Sequence, residues 1–342
     1  MIKVLIVDDS ATARHVLQEI LESDRRICVI GLAPDAYIAR DMVVELKPDV
    51  ICLDVEMPRM DGLTFLQKLM IYFPVPVIMV SSLTRQSAKI TLDALEAGAI
   101  DYVEKPHSHI YDGKALIKEE LIQKVVDASY AKVQKLVPSA LYVTNQQSMA
   151  QTTKKIIAIG SSTGGTEALK VLLRTLPKNC PAIVIVQHMP DSFMAPFASR
   201  LNEVCSIDVK VAKNGEFLET GVAYIAQGGR HMVLRRSGAR YFVEIGIGRP
   251  ISGHCPSVDV LFNSVAKVAG SNAVGVILTG MGSDGARGMF NMHTAGAKTI
   301  AQSEESCVIF GMPKEAIRLG GVDKVSSLND ISQDIVNLLA GE

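Results

Sequence analysis

Short runs that are apolar throughout, separated by amphipathic stretches, constrain this chain more than any other feature. Val4–Val7, Cys28–Leu32, Val50–Asp54, Val77–Ser81 and Asp101–Glu104 read as strands. Helical patterns such as Arg14–Ser23 and Ala36–Lys47 lie between them. A strand with no polar face must be covered on both sides. Strands of this kind, joined by helices of about ten to fifteen residues, make a parallel sheet sandwiched by helices. The first third is therefore predicted to be a small, five-stranded, doubly wound α/β domain.

A helix is expected over Leu116–Val137, and the polar stretch Pro138–Thr153 has no period and reads as a linker. Apolar strands resume at Ile156–Ile159, Ala182–Val186, Val209–Val211, Ala223–Ala226, Ala273–Thr279 and Lys298–Ala301. Helical patterns fall near Glu167–Arg174, Val258–Ala269 and Pro313–Leu319, and Met232–Arg235 with Tyr241–Ile245 form a β-hairpin. The second half is thus predicted to be a second, mostly parallel α/β domain with a hairpin. The expected division is 1–125, a helix and linker over 126–153, and 154–342. A length of 342 residues suits two such domains better than one.

The chain is 48% hydrophobic and 21% charged, as an ordinary globular protein is, and its net charge of −1 argues against nucleic acid or an acidic membrane as main partner. No apolar run approaches the roughly 20 residues that span a bilayer, so no direct membrane insertion is expected. The opening MIKVLIVDDS reads as a strand without a cleavable signal. The six cysteines contain no C-x-x-C pair and read as reduced thiols, and the expected location is cytoplasmic.

Asp8 and Asp9 end the first strand, Asp54 the third and Ser81 the fourth, and Lys105 follows the fifth. In an open parallel sheet all these ends face one crevice. Three carboxylates in one cleft repel each other, and Mg²⁺, which prefers oxygen ligands, relieves that repulsion. Lys105 and the Ser81 hydroxyl would meet phosphoryl oxygens. The chemistry is then carboxylate attack on a phosphoryl donor, giving an aspartyl phosphate. Singly, each residue would be a turn or cap; the set in register with strand ends points to the site.

Residues 1 to about 125 resemble a bacterial response-regulator receiver domain. The matching pieces are Val7-Asp8-Asp9-Ser10, Leu53-Asp54-Val55-Glu56-Met57-Pro58 with Asp61-Gly62, Val80-Ser81-Ser82, and Asp101-Tyr102-Val103-Glu104-Lys105-Pro106. The resemblance implies that Asp54 is the phosphoacceptor. Asp8 and Asp9 would hold the metal with Asp54 and the Glu56 backbone carbonyl. Ser81 and Tyr102 would form a switch pair, and the Lys105–Pro106 bond would be cis.

Gly160-Ser161-Ser162-Thr163-Gly164-Gly165 sits between a strand and a helical pattern. Gly160-x-Ser162-x-Gly164 has the spelling of a nucleophile elbow. The segment alone fits equally a phosphate cradle or a tight turn with an N-cap serine. His188, at the end of the next strand, would face the same crevice and favours the elbow. His231 opens a hairpin strand and His293 lies in a helical pattern. His254, in the loop Ser252-Gly253-His254-Cys255-Pro256, is the strongest competitor as base. Asp284, in Gly280-Met281-Gly282-Ser283-Asp284-Gly285, is the orienting acid, although alone it would read as an N-cap. The glycines around it let backbone N–H groups point into the cleft. The order Ser162, His188, Asp284 differs from that of ordinary lipases and esterases, where the acid precedes the histidine.

Residues 154–342 resemble the catalytic domain of the chemotaxis protein-glutamate methylesterases. The likeness rests on Ile159–Glu167, Gln187-His188-Met189, Gly229-Arg230-His231-Met232, Pro256–Phe262, Leu278–Gly285 and Val308–Pro313. Cys255 departs from it, standing before Pro256 where the pattern leads one to expect Arg. The resemblance implies a Ser162–His188–Asp284 triad with the Met281 N–H as an oxyanion donor, and no cofactor for ester hydrolysis. It implies methylated glutamates on chemoreceptor cytoplasmic domains as substrate, glutamine deamidation in some relatives, and a chemotaxis histidine kinase as phosphodonor. The unphosphorylated receiver is expected to pack over the esterase cleft and restrict entry, phosphorylation at Asp54 relieving it. The competing class is a regulator whose second domain only binds an anion or nucleotide at Gly160–Gly165. A DNA-binding output lacks any basic stripe.

Overall fold

A computed structural model describes residues 1–81, 85–105, 114–131, 133 and 155–340. The chain divides into two compact units, Met1–Ala140 and Leu141–Glu342. The first runs β1 (Ile2–Val7), α1 (Ala11–Glu22), β2 (Ile27–Ala33), α2 (Ala36–Leu46), β3 (Val50–Asp54) and α3 (Gly62–Tyr72). It continues through β4 (Val77–Ser81), α4 (Arg85–Glu96), β5 (Asp101–Glu104) and α5 (Lys114–Ala128).

The five strands are parallel in the order β2-β1-β3-β4-β5. Val4 to Val7, Val50 to Leu53 and Val77 to Val80 are buried, as strands covered on both faces must be. The chain starts at β1, steps to β2 and returns past β1 to β3. The crevice where that order reverses is the natural ligand site of such a sheet. Helix α5 ends at Ala128, short of the expected Val137. The Tyr130 and Ala131 N–H groups bond three residues back, to Asp127 and Ala128, which closes the last turn. The expected cis Lys105–Pro106 bond lies outside the described residues.

The second unit opens with β6 (Ile156–Ser161), α6 (Gly165–Thr175), β7 (Ala182–Gln187), α7 (Asp191–Val204), β8 (Asp208–Val211), β9 (Glu216–Phe217) and β10 (Val222–Ile225). The hairpin β11 (His231–Ser237) and β12 (Arg240–Gly246) follows, then α8 (Val258–Val268), β13 (Ala273–Ile277) and α9 (Ala286–Thr294). It closes with β14 (Lys298–Gln302), α10 (Met312–Arg318), β15 (Lys324–Ser326) and α11 (Ile331–Ala340).

Seven of these strands form a parallel sheet in the order β15-β14-β13-β6-β7-β10-β8. The hairpin is longer than its hydrophobic pattern indicated and gains β9 as a third antiparallel strand. Only the two residues Glu216 and Phe217 pair there, too few to show a period of two. Val258, Leu261, Phe262 and Val265 of α8 share one core with Ile156 and Ala158 of β6 and with Met232, Leu234 and Val243 of the hairpin. Full burial of each such side chain stabilises by about 1.5–3 kcal/mol. That core fixes α8 beside the C-terminal end of β6. Among the described residues no helix is long and apolar enough to cross a membrane.

Candidate active site and acidic pocket

The second sheet starts at its centre. Strand β6 leads out to β7, and the chain later returns to lay β13 on the other side of β6. The C-terminal ends of β6, β7 and β13 therefore flank the switch point. Ser162 follows β6 directly, His188 follows β7, and Asp284 lies in the loop after β13.

Backbone bonds lock these ends together. The His188 N–H donates to the Ser161 carbonyl at 3.1 Å, and the Ser162 N–H to the Thr279 carbonyl at 3.1 Å. Gln187, 2% exposed, stitches the first two turns. Its Nε2 donates to the carbonyls of Ser162 at 2.9 Å and His188 at 3.2 Å, while its Oε1 accepts from Ser161 Oγ at 2.7 Å. This separates the two serines: Ser161 is fully buried and tied to Gln187, whereas Ser162 is half-buried.

Two glycines make the turn possible. Gly164 caps α6 with φ of 74° and no side-chain cap bond, so the helix does not use an N-cap serine. Gly280 passes so near that a Cβ on it would lie 2.8 Å from Ser162 Cβ. The loop after β13 thereby presses against the Ser162 side chain. In that loop the Gly280 N–H donates to Ile309 and its carbonyl accepts from Gly311 and Met312. Met281, expected above to offer its N–H, is the next residue after Gly280.

His188 and Asp284 meet. His188 Nε2 lies 2.9 Å from Asp284 Oδ2, with the two side chains 8% and 0% exposed. Asp284 Oδ1 also accepts from Ser257 Oγ at 2.7 Å and the Asp259 N–H at 3.1 Å, and Oδ2 from the Val258 N–H at 2.7 Å. It does not cap α9, whose N-cap is Gly285; it sits on the N-terminus of α8, whose free N–H groups and dipole favour an anion. Burial pushes its pKa up, but the bonds from His188, Ser257 and Val258 outweigh this and hold it below the ordinary 3.8. An ionised acid can only accept, so His188 carries its proton on Nε2. Its Nδ1 then presents a lone pair, and this buried atom has no hydrogen-bond partner. The ring is used the opposite way round from the serine-protease template, where Nδ1 faces the acid.

The other histidines find distinct places. His231 bridges the Arg249 carbonyl at 2.9 Å and the Ser257 N–H at 3.2 Å. His293 pairs with Asp323 at 3.2 Å. His254, weighed above as an alternative base, stacks on His188 with ring centroids 3.7 Å apart and 10° between planes. Gln187 and Ser257 were not foreseen as site residues. Ser257 stands just before a helical pattern, a legible N-cap, but its bond to Asp284 joins segments that only the fold brings together.

In the first unit, carboxylate oxygens of Asp8, Asp9 and Asp54 lie within 4.8 Å of one another at the β1/β3 ends. Lys105 Nζ is 2.8 Å from Asp8 Oδ2 and 2.9 Å from Asp54 Oδ2. Burial pushes Asp54 up to about 6; the bond from Lys105 opposes this and the charge of Asp8 adds to it. Asp8 Oδ2 is fully buried and faces the Lys105 ammonium, and the three clustered carboxylates are the hard oxygen donors that a dication prefers. The Glu56 N–H donates to Asp54 Oδ1 at 3.4 Å, and its side chain accepts from Ser87 at 3.2 Å. Ser81 Oγ accepts from Thr91 at 3.0 Å, and Tyr102 is buried with Lys124 Nζ 5.1 Å from its ring centre.

Residues 157–335 match the family described as CheB methylesterase, and residues 4–111 match the response regulator receiver domain. A protein-glutamate methylesterase/protein-glutamine glutaminase of Sulfurimonas denitrificans is 57% identical over 99% of both chains. The chain belongs to the CheB methylesterase family. A protein of the same name from Salmonella typhi is 52% identical across 98% of this chain and 96% of its own. The crystal structure of the Thermotoga maritima CheB methylesterase catalytic domain superposes with a TM-score of 0.53 at 38% identity, covering 55% of this chain and all of that one. The chain is a hydrolase carrying a response-regulator receiver domain in front of its methylesterase domain.

Proposed function

We propose that this chain removes methyl groups from glutamate methyl esters on the cytoplasmic domains of chemoreceptors, with Ser162 as nucleophile, and that phosphorylation of Asp54 raises its rate. The observation that carries the reading is the buried His188–Asp284 pair, 2.9 Å apart, which leaves Nδ1 without a partner at a strand end whose backbone bonds to the Ser161 carbonyl just before Ser162. The names of the full-length relatives support the substrate class.

Ser162 Oγ attacks the ester carbonyl carbon and passes its proton to His188 Nδ1. The Asp284 carboxylate stabilises the imidazolium through Nε2. The Met281 N–H meets the oxyanion, a position supported by its place next to Gly280. The tetrahedral intermediate collapses, and methanol leaves with the proton from His188. Water then attacks the glutamyl ester, gives a proton to His188, and frees glutamate and Ser162. A glutamine side chain reacts by the same steps with ammonia leaving, which accounts for deamidation. Ester hydrolysis needs no cofactor.

In the receiver domain Asp54 attacks the phosphoryl group of a phosphorylated chemotaxis histidine kinase. Asp8, Asp9, Asp54 and the Glu56 carbonyl would hold Mg²⁺, which when bound offsets the negative charge that carboxylate and phosphoryl bring together. Lys105, held charged by Asp8 and Asp54 against the effect of burial, pairs with the new phosphoryl oxygens. Ser81 and Tyr102 read the change as the switch pair.

Methanol release from methylated receptor membranes tests the esterase. Ser162→Ala should lower it by at least ~10³-fold. Undiminished release by that variant would refute the nucleophile.

A further inference from the structure

We propose that His254 is a positioning residue for the catalytic base: its imidazole, stacked on His188, holds that ring with Nε2 on Asp284 and Nδ1 left free to take a proton. The inference rests on the reading of His188 as base given above.

His188 is fixed within its ring plane by one bond, Nε2 to Asp284 at 2.9 Å. A bond at one edge resists sliding in the plane but resists tilt and rotation about Cβ–Cγ only weakly. Nδ1 has no bond of its own to add. The missing restraint is perpendicular to the ring, and there the face of His254 lies, 3.7 Å away and within 10° of parallel. Any rotation of His188 out of its plane must break that contact.

The support is itself built to be rigid. Ile251 and His254 exchange backbone bonds of 3.0 and 2.9 Å across a two-residue turn, with φ of 52° at Ser252 and 83° at Gly253. Two positive φ values mark a type I′ turn, which closes a tight hairpin. The Gly229 N–H donates to the Cys255 carbonyl at 3.0 Å. His231 grips both ends of the loop, at the Arg249 carbonyl and the Ser257 N–H. Its Nδ1 accepts from Ser257, so its Nε2–H donates to Arg249. His231 thus supports the loop that presents His254, and Ser257 carries the restraint on to Asp284.

His254 is not a second base. The Asp284 carboxylate is already shared among His188, Ser257, Val258 and Asp259, so it does not orient His254. What His254 supplies is a flat face. An aromatic pair of this kind shifts the population of one orientation by roughly two- to tenfold.

The test uses three variants of the full chain in the methanol-release assay. His254→Asn keeps a polar side chain and His254→Leu keeps apolar bulk, but both lose the face; His254→Phe keeps the face and loses both nitrogens. Asn and Leu should lower kcat about three- to tenfold with KM unchanged, and Phe should recover most of the loss. In NMR spectra of the folded proteins, the His188 Hε1 should show an upfield ring-current shift in the wild type and the Phe variant only. Wild-type kcat in a folded Asn or Leu variant overturns the inference. So does a Phe variant as slow as Asn, or a wild-type spectrum without the shift. Ser162→Ala run alongside separates the levels: if it stays active, the esterase reading itself fails, whereas an inactive Ser162→Ala beside an unimpaired His254→Asn sinks the positioning role alone.

Discussion

At the scale of single residues, Asp284 does two jobs at once. It orients His188 and closes the N-terminus of α8 through the Val258 and Asp259 N–H groups. Asp284→Asn should therefore cut kcat by about 10³–10⁴-fold, because a neutral amide neither fixes the tautomer nor stabilises the imidazolium. It should also show in stability against pH. The folded pKa of Asp284 lies below 3.8, so its contribution is present above that value and lost as pH falls through the folded one. Urea midpoints taken from about pH 5 down to about pH 3 should fall more steeply in the wild type than in Asp284→Asn; parallel curves would contradict the assignment. Thiols offer a separate check. Burial pushes Cys52 and Cys180 up to about 12, so neither should react with a thiol reagent at mildly alkaline pH until the chain unfolds. Rapid modification of either in the folded protein would mean that its domain is packed differently.

At the scale of elements, the site is a set of strand ends, and this decides what the sequence discloses. Asp54, Ser81, Ser162 and His188 each end a strand or follow one directly, so apolar runs alone bring them to the right rim of each sheet. Asp284 stands farther out, beyond the end of β13 at Ile277; its glycine-rich loop was legible, its seat on α8 was not. Contacts such as Ser257–Asp284 and His254–His188 depend on α8 packing beside β6 and on the 249–257 loop reaching His188, which no local period encodes. Strands β9 and β15 have two and three residues and carry no pattern of their own. The turn between β6 and α6 makes its own prediction. Gly164→Ala would place a Cβ at φ of 74° and 2.7 Å from Val308 Cβ. Thermal or urea unfolding should reveal a loss of about 1–3 kcal/mol or more, with kcat falling as Ser162 moves. A variant as stable and active as the wild type would show that the turn has no need of glycine.

At the scale of the whole molecule, two units with two chemistries share one chain. On the proposed reading, the acidic pocket of Asp8, Asp9 and Asp54, whose carboxylate oxygens cluster within 4.8 Å, takes a phosphoryl group, and the Ser162, His188 and Asp284 site cleaves an ester. Covalent linkage makes sense if the first governs the second, since a phosphoryl group changes the local charge by one to two units, enough to bias a two-state element. The central claim is that Ser162 does the chemistry and Asp54 sets its rate. The most direct measurement is methanol release from methylated receptor membranes by the full chain, with Mg²⁺, before and after a small-molecule phosphodonor is added. The rate should rise in the wild type, stay level in Asp54→Asn, and be abolished in Ser162→Ala under both conditions. An equal rise in Asp54→Asn, or wild-type release by Ser162→Ala, would contradict it.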